Sequence, residues 1–236
     1  MQQTLDLIRV SLEAAADPAH RDGAIRYFKE AVHPLGVRSA EMNKIIASAW
    51  RRVSSWDKDE ILELCERLWD AGSLEEGSLA CKLALKLGKR LEETDFARFE
   101  DWMDTRVANW AHCDDLGTHA VGTLLMAFPA LFPRLAAWTV SENRWVRRGS
   151  MVSLVYPLRR NILPMEDAVR LAEPLLSDPD DLVQKGMGWM LKEGTRHHAL
   201  EVVQFLLAHK EQMSRIALRT AIEKLPETLR QIALSP

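Results

Sequence analysis

The chain has no run of about eighteen apolar residues, so none of its 236 residues is expected to span a membrane. Cysteine is scarce. Cys65, Cys81 and Cys113 are widely spaced and odd in number, which excludes a disulfide scaffold and fits a reducing compartment. The opening MQQTLDLIRVSLEAAAD carries acids within its apolar pattern and lacks the basic-then-apolar form of a secretory signal, so the protein is expected in the cytoplasm. No Gly-rich phosphate loop is present, and no nucleotide cofactor is expected. His112 and Cys113 are adjacent and point apart, while His197 and His198 sit together at a helix end. Neither pair has zinc-ligand spacing, so no metal is expected. Positive charge is also in short supply. With 34 acidic against 31 basic residues the formal charge is −3. That counts against a nucleic-acid partner unless the cations gather on one face, since charges beyond about 8 Å are screened at physiological salt.

No stretch alternates at period two, and almost every segment reads at helical period. Helices are expected near residues 5–16, 24–32, 39–53, 58–70, 74–91, 94–107, 142–159, 166–176, 180–193, 199–209, 213–223 and 226–234. Another begins at Trp110. Asp17-Pro18 reads as a stop for the first helix, and Pro157 should kink or end the 142–159 helix because it lacks an amide hydrogen. Short connections make successive helices antiparallel neighbours. Roughly seven pairs of about 34–40 residues lie in the range of helical repeats. The TPR consensus is missing. The expected fold is therefore all-α, a HEAT-like α-solenoid of antiparallel helix pairs with a concave binding face, against the alternative of a compact helical bundle. No Pro/Gly/Ser-rich linker divides the chain, so residues 1–236 are read as a single domain.

Three segments carry the chemistry. In NWAHCDDLGTHAVG, Asn109 is a fitting N-cap and Trp110 and Asp114 share one face, four residues apart. In ENRWVRRGSMVSLVY, Trp145, Gly149, Val152 and Tyr156 repeat toward the core, while Arg144, Arg147 and Arg148 flank them as a candidate phosphate grip. In DDLVQKGMGWMLKE, Lys185, Trp189 and Lys192 align at i, i+4, i+7. Gly186 and Gly188 each cost that helix about 1 kcal/mol, which suggests close packing or a ligand close to the backbone. Each segment alone fits a bland reading: core tryptophans, a solvated aspartate and solvated basic flanks.

Taken in order, the segments resemble the AlkD-type DNA alkylation repair glycosylases, which are built of HEAT-like repeats. RYFKEAVHPLGVRSAEMNKI resembles the opening motif of that family, with Tyr27, Phe28, Lys29, Gly36 and Val37 in matching places. LWDAGSLEEGSLACKLALK resembles its next segment. NWAHCD matches its tryptophan-to-aspartate pattern at Trp110 and Asp114, RWVRR its Trp-x-Arg-Arg at Trp145, Arg147 and Arg148, and VQKGMGWMLKE its late tryptophan helix at Trp189. One departure is Ala111, where the family often has aspartate. It points about 100° from Trp110, so little effect on chemistry is expected.

The resemblance implies a monofunctional glycosylase that excises cationic bases such as 3-methyladenine and 7-methylguanine from double-stranded DNA, without extruding the base. Trp110, Asp114 and Trp189 would form its catalytic cleft, with Arg148 holding the DNA backbone. Arg147, Arg144, Lys185, Lys192, Tyr27 and Lys29 are the further candidate DNA contacts. No cofactor is implied, and a monomer is expected. Two non-enzymatic alternatives stand beside this: a family relative that binds unusual DNA structures without catalysis, and a helical-repeat scaffold for another protein.

Overall fold

Asp17 and Pro18 start a helix as well as ending one. In the computed structural model, which describes residues 1–235, the Asp17 carboxylate accepts the amides of Ala19 at 2.9 Å and His20 at 3.2 Å. Pro18 takes the first helical position, where a missing amide hydrogen costs nothing. The second helix, α2 (Pro18–Tyr27), therefore begins six residues before the expected 24–32 segment. It follows α1 (Gln2–Ala14). Three more helices complete the first compact unit, Met1–Glu92: α3 (Ser39–Val53), α4 (Lys58–Trp69) and α5 (Leu74–Leu87). An Asp57–Glu60 capping box opens α4. Gly88, at φ 51°, ends α5 short of residue 91. Leu12, Ile61, Leu64, Leu68 and Leu83 are fully buried in this unit.

The Leu35-Gly36-Val37 turn shows what the first family-like motif does. Its three amides donate to the Glu75 carboxylate at 2.8, 2.8 and 3.0 Å. Gly36 has φ +90°, and a Cβ there would lie 2.3 Å from the Asp17 carbonyl. A side chain cannot fit. The turn is thus held by the acid of the second motif, LWDAGSLEEGSL, which ties the two segments together.

The second unit runs from Glu93 to the C-terminus. It contains α6 (Asp95–Thr105), α7 (Trp110–Asp114), a π-helical segment (Asp115–Val121), α8 (Gly122–Ala127), α9 (Leu135–Thr139), α10 (Arg144–Val152) and α11 (Val155–Arg159). Then follow α12 (Met165–Ala172), α13 (Asp181–His209), α14 (Arg215–Ala221) and α15 (Glu227–Leu234). The expected 142–159 helix breaks between α10 and α11, just after Ser153. A proline ring clashes with the carbonyl four residues back, and for Pro157 that carbonyl belongs to Ser153. Helix α13 is broken at His198 (φ −133°, ψ 43°), so residues 181–197 and 199–209 are two arms, where the sequence pattern expects helices over 180–193 and 199–209. His198 Nε2 lies 2.8 Å from Oδ1 of Asn161, itself at φ 55°.

Apart from one β-bridge, Ala16 to Val37, the described residues form helices and turns. Side-chain bridges recur at a spacing of one helix pair. They join Lys58 to Glu92 (34 residues apart), Arg134 to Glu100 (34), Arg148 to Asp114 (34), Arg147 to Asp178 (31), Arg159 to Glu193 (34) and Lys192 to Glu223 (31). Repeat identity is poor in the letters of the chain and plain in these separations.

Candidate active site

Helix α7 begins as its sequence demands. Asn109 Oδ1 accepts the amide of His112 at 2.9 Å, and Asn109 Nδ2 lies 3.0 Å from His112 Nδ1. Trp110 takes the first helical position and is half-buried. Asp114 stands at the last residue of α7, and directly after it the helix widens into the π-helical turns of Asp115–Val121. Such turns are rare and gather at functional sites. Gly117 within this stretch and Gly122 just after it let the chain press on α10 and the residue that follows it. A Cβ on Gly117 would sit 2.7 Å from Val152 Cγ2, and one on Gly122 would sit 3.1 Å from the Ser153 carbonyl.

Arg148, on α10, closes a two-pronged ion pair with the Asp114 carboxylate. Its Nε donates to Oδ1 at 2.9 Å and its Nη2 to Oδ2 at 2.8 Å. Its Nη1 donates to the carbonyl of Leu182, at the start of α13. One side chain thereby joins α7, α10 and α13. Gly186 makes room for it: a Cβ there would stand 3.2 Å from Arg148 Cγ. Burial pushes the Asp114 carboxyl above its ordinary range, while the Arg148 charge and hydrogen bonds, and more weakly Lys185, pull it back. Paired forks of this kind require the ionised carboxylate.

The three arginines read from the sequence as a phosphate grip each face an acid. Arg148 is only 4% exposed, and its guanidinium is occupied by Asp114 and Leu182. Arg147 Nε donates to Asp178 at 2.6 Å, and its Nη1 to the Ser141 and Glu142 carbonyls. Arg144 pairs with Asp180 at 2.8 Å and lies over the Trp145 ring. The reason is one of local charge. Asp178 and Asp180 precede α13, one helix pair away in sequence, where a reading of the arginine helix by itself does not see them.

The late tryptophan helix divides similarly. Lys185 is exposed and its charge reaches Asp114. Lys192 is tied to Glu223 at 3.1 Å, and Trp189 between them is half-buried. Neither indole is sealed in a core, whereas Trp145 is buried, as expected of the core stripe. Gly186 and Gly188 serve packing: a Cβ on Gly188 would lie 2.6 Å from the Ala217 carbonyl of α14. Tyr27 and Lys29 belong to the first unit, and both are exposed, Tyr27 to 72%. Cys113 is fully buried with its Sγ donating to the Trp145 carbonyl at 3.4 Å, and burial pushes its thiol up. It is packing, not a nucleophile. The sequence did not disclose the π-helical segment or the Asp114–Arg148 pair, although the spacing of 34 residues between these two is itself a repeat-length signal.

Among the described residues no helix is long and apolar enough to cross a membrane. The chain is similar in fold to a predicted DNA alkylation repair enzyme from Enterococcus faecalis, with a TM-score of 0.79 at 18% identity over 90% of this chain and 97% of that one. It is also similar to AlkD2 from Streptococcus mutans, with a TM-score of 0.60 at 18% identity over 80% and 90% of the two chains. No sequence among curated proteins matches significantly. The model of a family described as DNA alkylation repair enzyme matches residues 8–225. With that match over nearly its whole length, the chain belongs to the DNA alkylation repair enzyme family.

Proposed function

We propose that this protein is a monofunctional DNA glycosylase that removes cationic N-alkylated purines, 3-methyladenine and 7-methylguanine, from double-stranded DNA without cutting the strand. The observation that carries this reading is the Asp114 carboxylate, clamped by Arg148 and preceded one turn earlier by the half-buried Trp110. Alkylation at a ring nitrogen makes the base positive, so it leaves as a neutral molecule and needs no general acid. The sugar left behind bears an oxocarbenium-like charge, as in glycoside hydrolysis. A carboxylate fixed in advance stabilises that charge without reorganising, and it can orient or deprotonate the incoming water. The faces of Trp110 and Trp189 suit a cationic nucleotide, at about 0.5–2 kcal/mol each. No lysine nucleophile enters this scheme, so the abasic strand stays intact.

The test is release of labelled bases from methylated duplex DNA. Asp114→Asn should slow excision by about two to three orders of magnitude, the scale of losing one electrostatic stabiliser. Wild-type rates in that variant would refute the role of Asp114. Tight duplex binding with no base released by the native protein would instead favour a non-catalytic relative.

A further inference from the structure

With Arg144, Arg147 and Arg148 each facing an acid, the cations available to DNA lie elsewhere. Among the described residues of the second unit, Arg160, Lys185, Arg215 and Arg219 have side chains that make no hydrogen bond or ion pair. Three of these four sit on two helices that touch. The 181–197 arm of α13 and helix α14 run side by side in the same direction. The Ser214 amide lies 3.4 Å from Gln184 Oε1, Gly188 faces Ala217 and Thr220, and Lys192 bonds Glu223. Lys185, Trp189 and Lys192 form one stripe at i, i+4, i+7, while Arg215 and Arg219 stand at i, i+4 on α14 and Glu223 follows in the turn after it. The Lys192–Glu223 bridge ties the Lys192 end of that stripe to the turn that closes α14. On α14 and in the turn after it, Arg215, Ile216, Arg219, Thr220 and Glu223 line an open groove of about 450 Å³.

We propose that Arg215 and Arg219, with Lys185 on the adjoining arm of α13, are the phosphate track that holds the DNA backbone. This takes over the role the sequence suggests for the arginines of α10. The proposal rests on the reading of the protein as one that acts on DNA. A chain of net charge −3 cannot draw DNA by its overall field. Local, unneutralised guanidiniums must supply the attraction, and each presents a fork of donors suited to phosphate oxygens. Two of them on successive turns of α14, about 6 Å apart at their bases, can follow one strand.

The measurement is binding of a fluorescein-labelled, undamaged duplex by anisotropy across a salt series. The double variant Arg215→Gln/Arg219→Gln should bind about tenfold more weakly. Its slope of log K against log salt should fall by about 1.8, the value for two lost phosphate contacts. Arg160→Gln should leave the slope unchanged, and Arg215→Lys/Arg219→Lys, which keeps the charge, should retain it. A double Gln variant with the native slope overturns the proposal, and so does an equal loss in Arg160→Gln, which would mean a diffuse charge effect. A reduced slope in a protein that releases no methylated base supports the track and refutes the glycosylase reading alone.

Discussion

Asp114 and Arg148 stand 34 residues apart and act as one unit. Removing the guanidinium strips the carboxylate of its clamp and of the charge that opposes burial. Arg148→Ala is therefore expected to act on the fold and on the carboxylate together. Breaking a buried pair costs about 3–5 kcal/mol, readable by urea denaturation. The pH profile separates this role from simple packing. Burial already raises the Asp114 carboxyl above 3.8, so the acid limb of the proposed excision should lie above that value. Arg148 pulls in the opposite direction, so its loss should move the limb to higher pH still. Arg148→Lys keeps a charge but not the fork, and should recover part of the shift with little of the rate. An acid limb unmoved in Arg148→Ala would separate Arg148 from the chemistry.

At the scale of elements, glycines decide how closely the site helices approach. Gly188 lets α14 lie against the 181–197 arm with a backbone carbonyl where a Cβ would be, at 2.6 Å. A carbonyl cannot swing aside as a side-chain tip can. Gly188→Ala should gain the helix propensity of alanine, about 1 kcal/mol, yet lose more through forced separation of the helices. The expected net effect is a lower melting temperature with weaker duplex binding, because the two helices that carry Lys185, Arg215 and Arg219 part. Gly117→Ala tests the other side of the site. Its Cβ would meet Val152 Cγ2 at 2.7 Å, so about 1–3 kcal/mol of overpacking should appear in denaturation. The π-helical segment it belongs to was not legible beforehand, because an inserted residue shifts the helical phase without leaving a mark in composition. By contrast α3, an uninterrupted amphipathic run, appears where the periodicity places it, over 39–53.

Across the second unit, Glu193 acts as a tie. Its side chain is 2% exposed and receives Arg159, Arg196 and Lys224 at 3.1, 2.9 and 2.8 Å. Burial alone would raise its carboxyl, but the hydrogen bonds from Lys224, Arg159 and Arg196 prevail and lower it from 4.5 to about 2. A group whose folded value lies below its unfolded one stabilises the fold above the unfolded value. That stability is lost as the pH falls through the folded value. Glu193→Gln should therefore melt lower than the native protein at pH 7. The gap should close as the pH drops from 4.5 toward 2, followed by circular dichroism. A gap independent of pH would remove Glu193 from the acid response.

Much of this molecule is written locally. Helical period, N-caps such as Asn109 and the facing of Trp110 with Asp114 follow from residues within a turn or two of each other, and local sequence determines them. The family resemblance likewise came from short motifs in order. What the chain could not reveal is which charges cancel. Arg144, Arg147 and Arg148 look alike along one helix, and Asp178 and Asp180, just before α13, and Asp114, on α7, reach them from elsewhere in the chain. Ion pairing acts over a few ångströms of space and is blind to distance along the chain. Only the packing of one helix pair on the next decided which cations were spent on the fold and which stayed open to solvent.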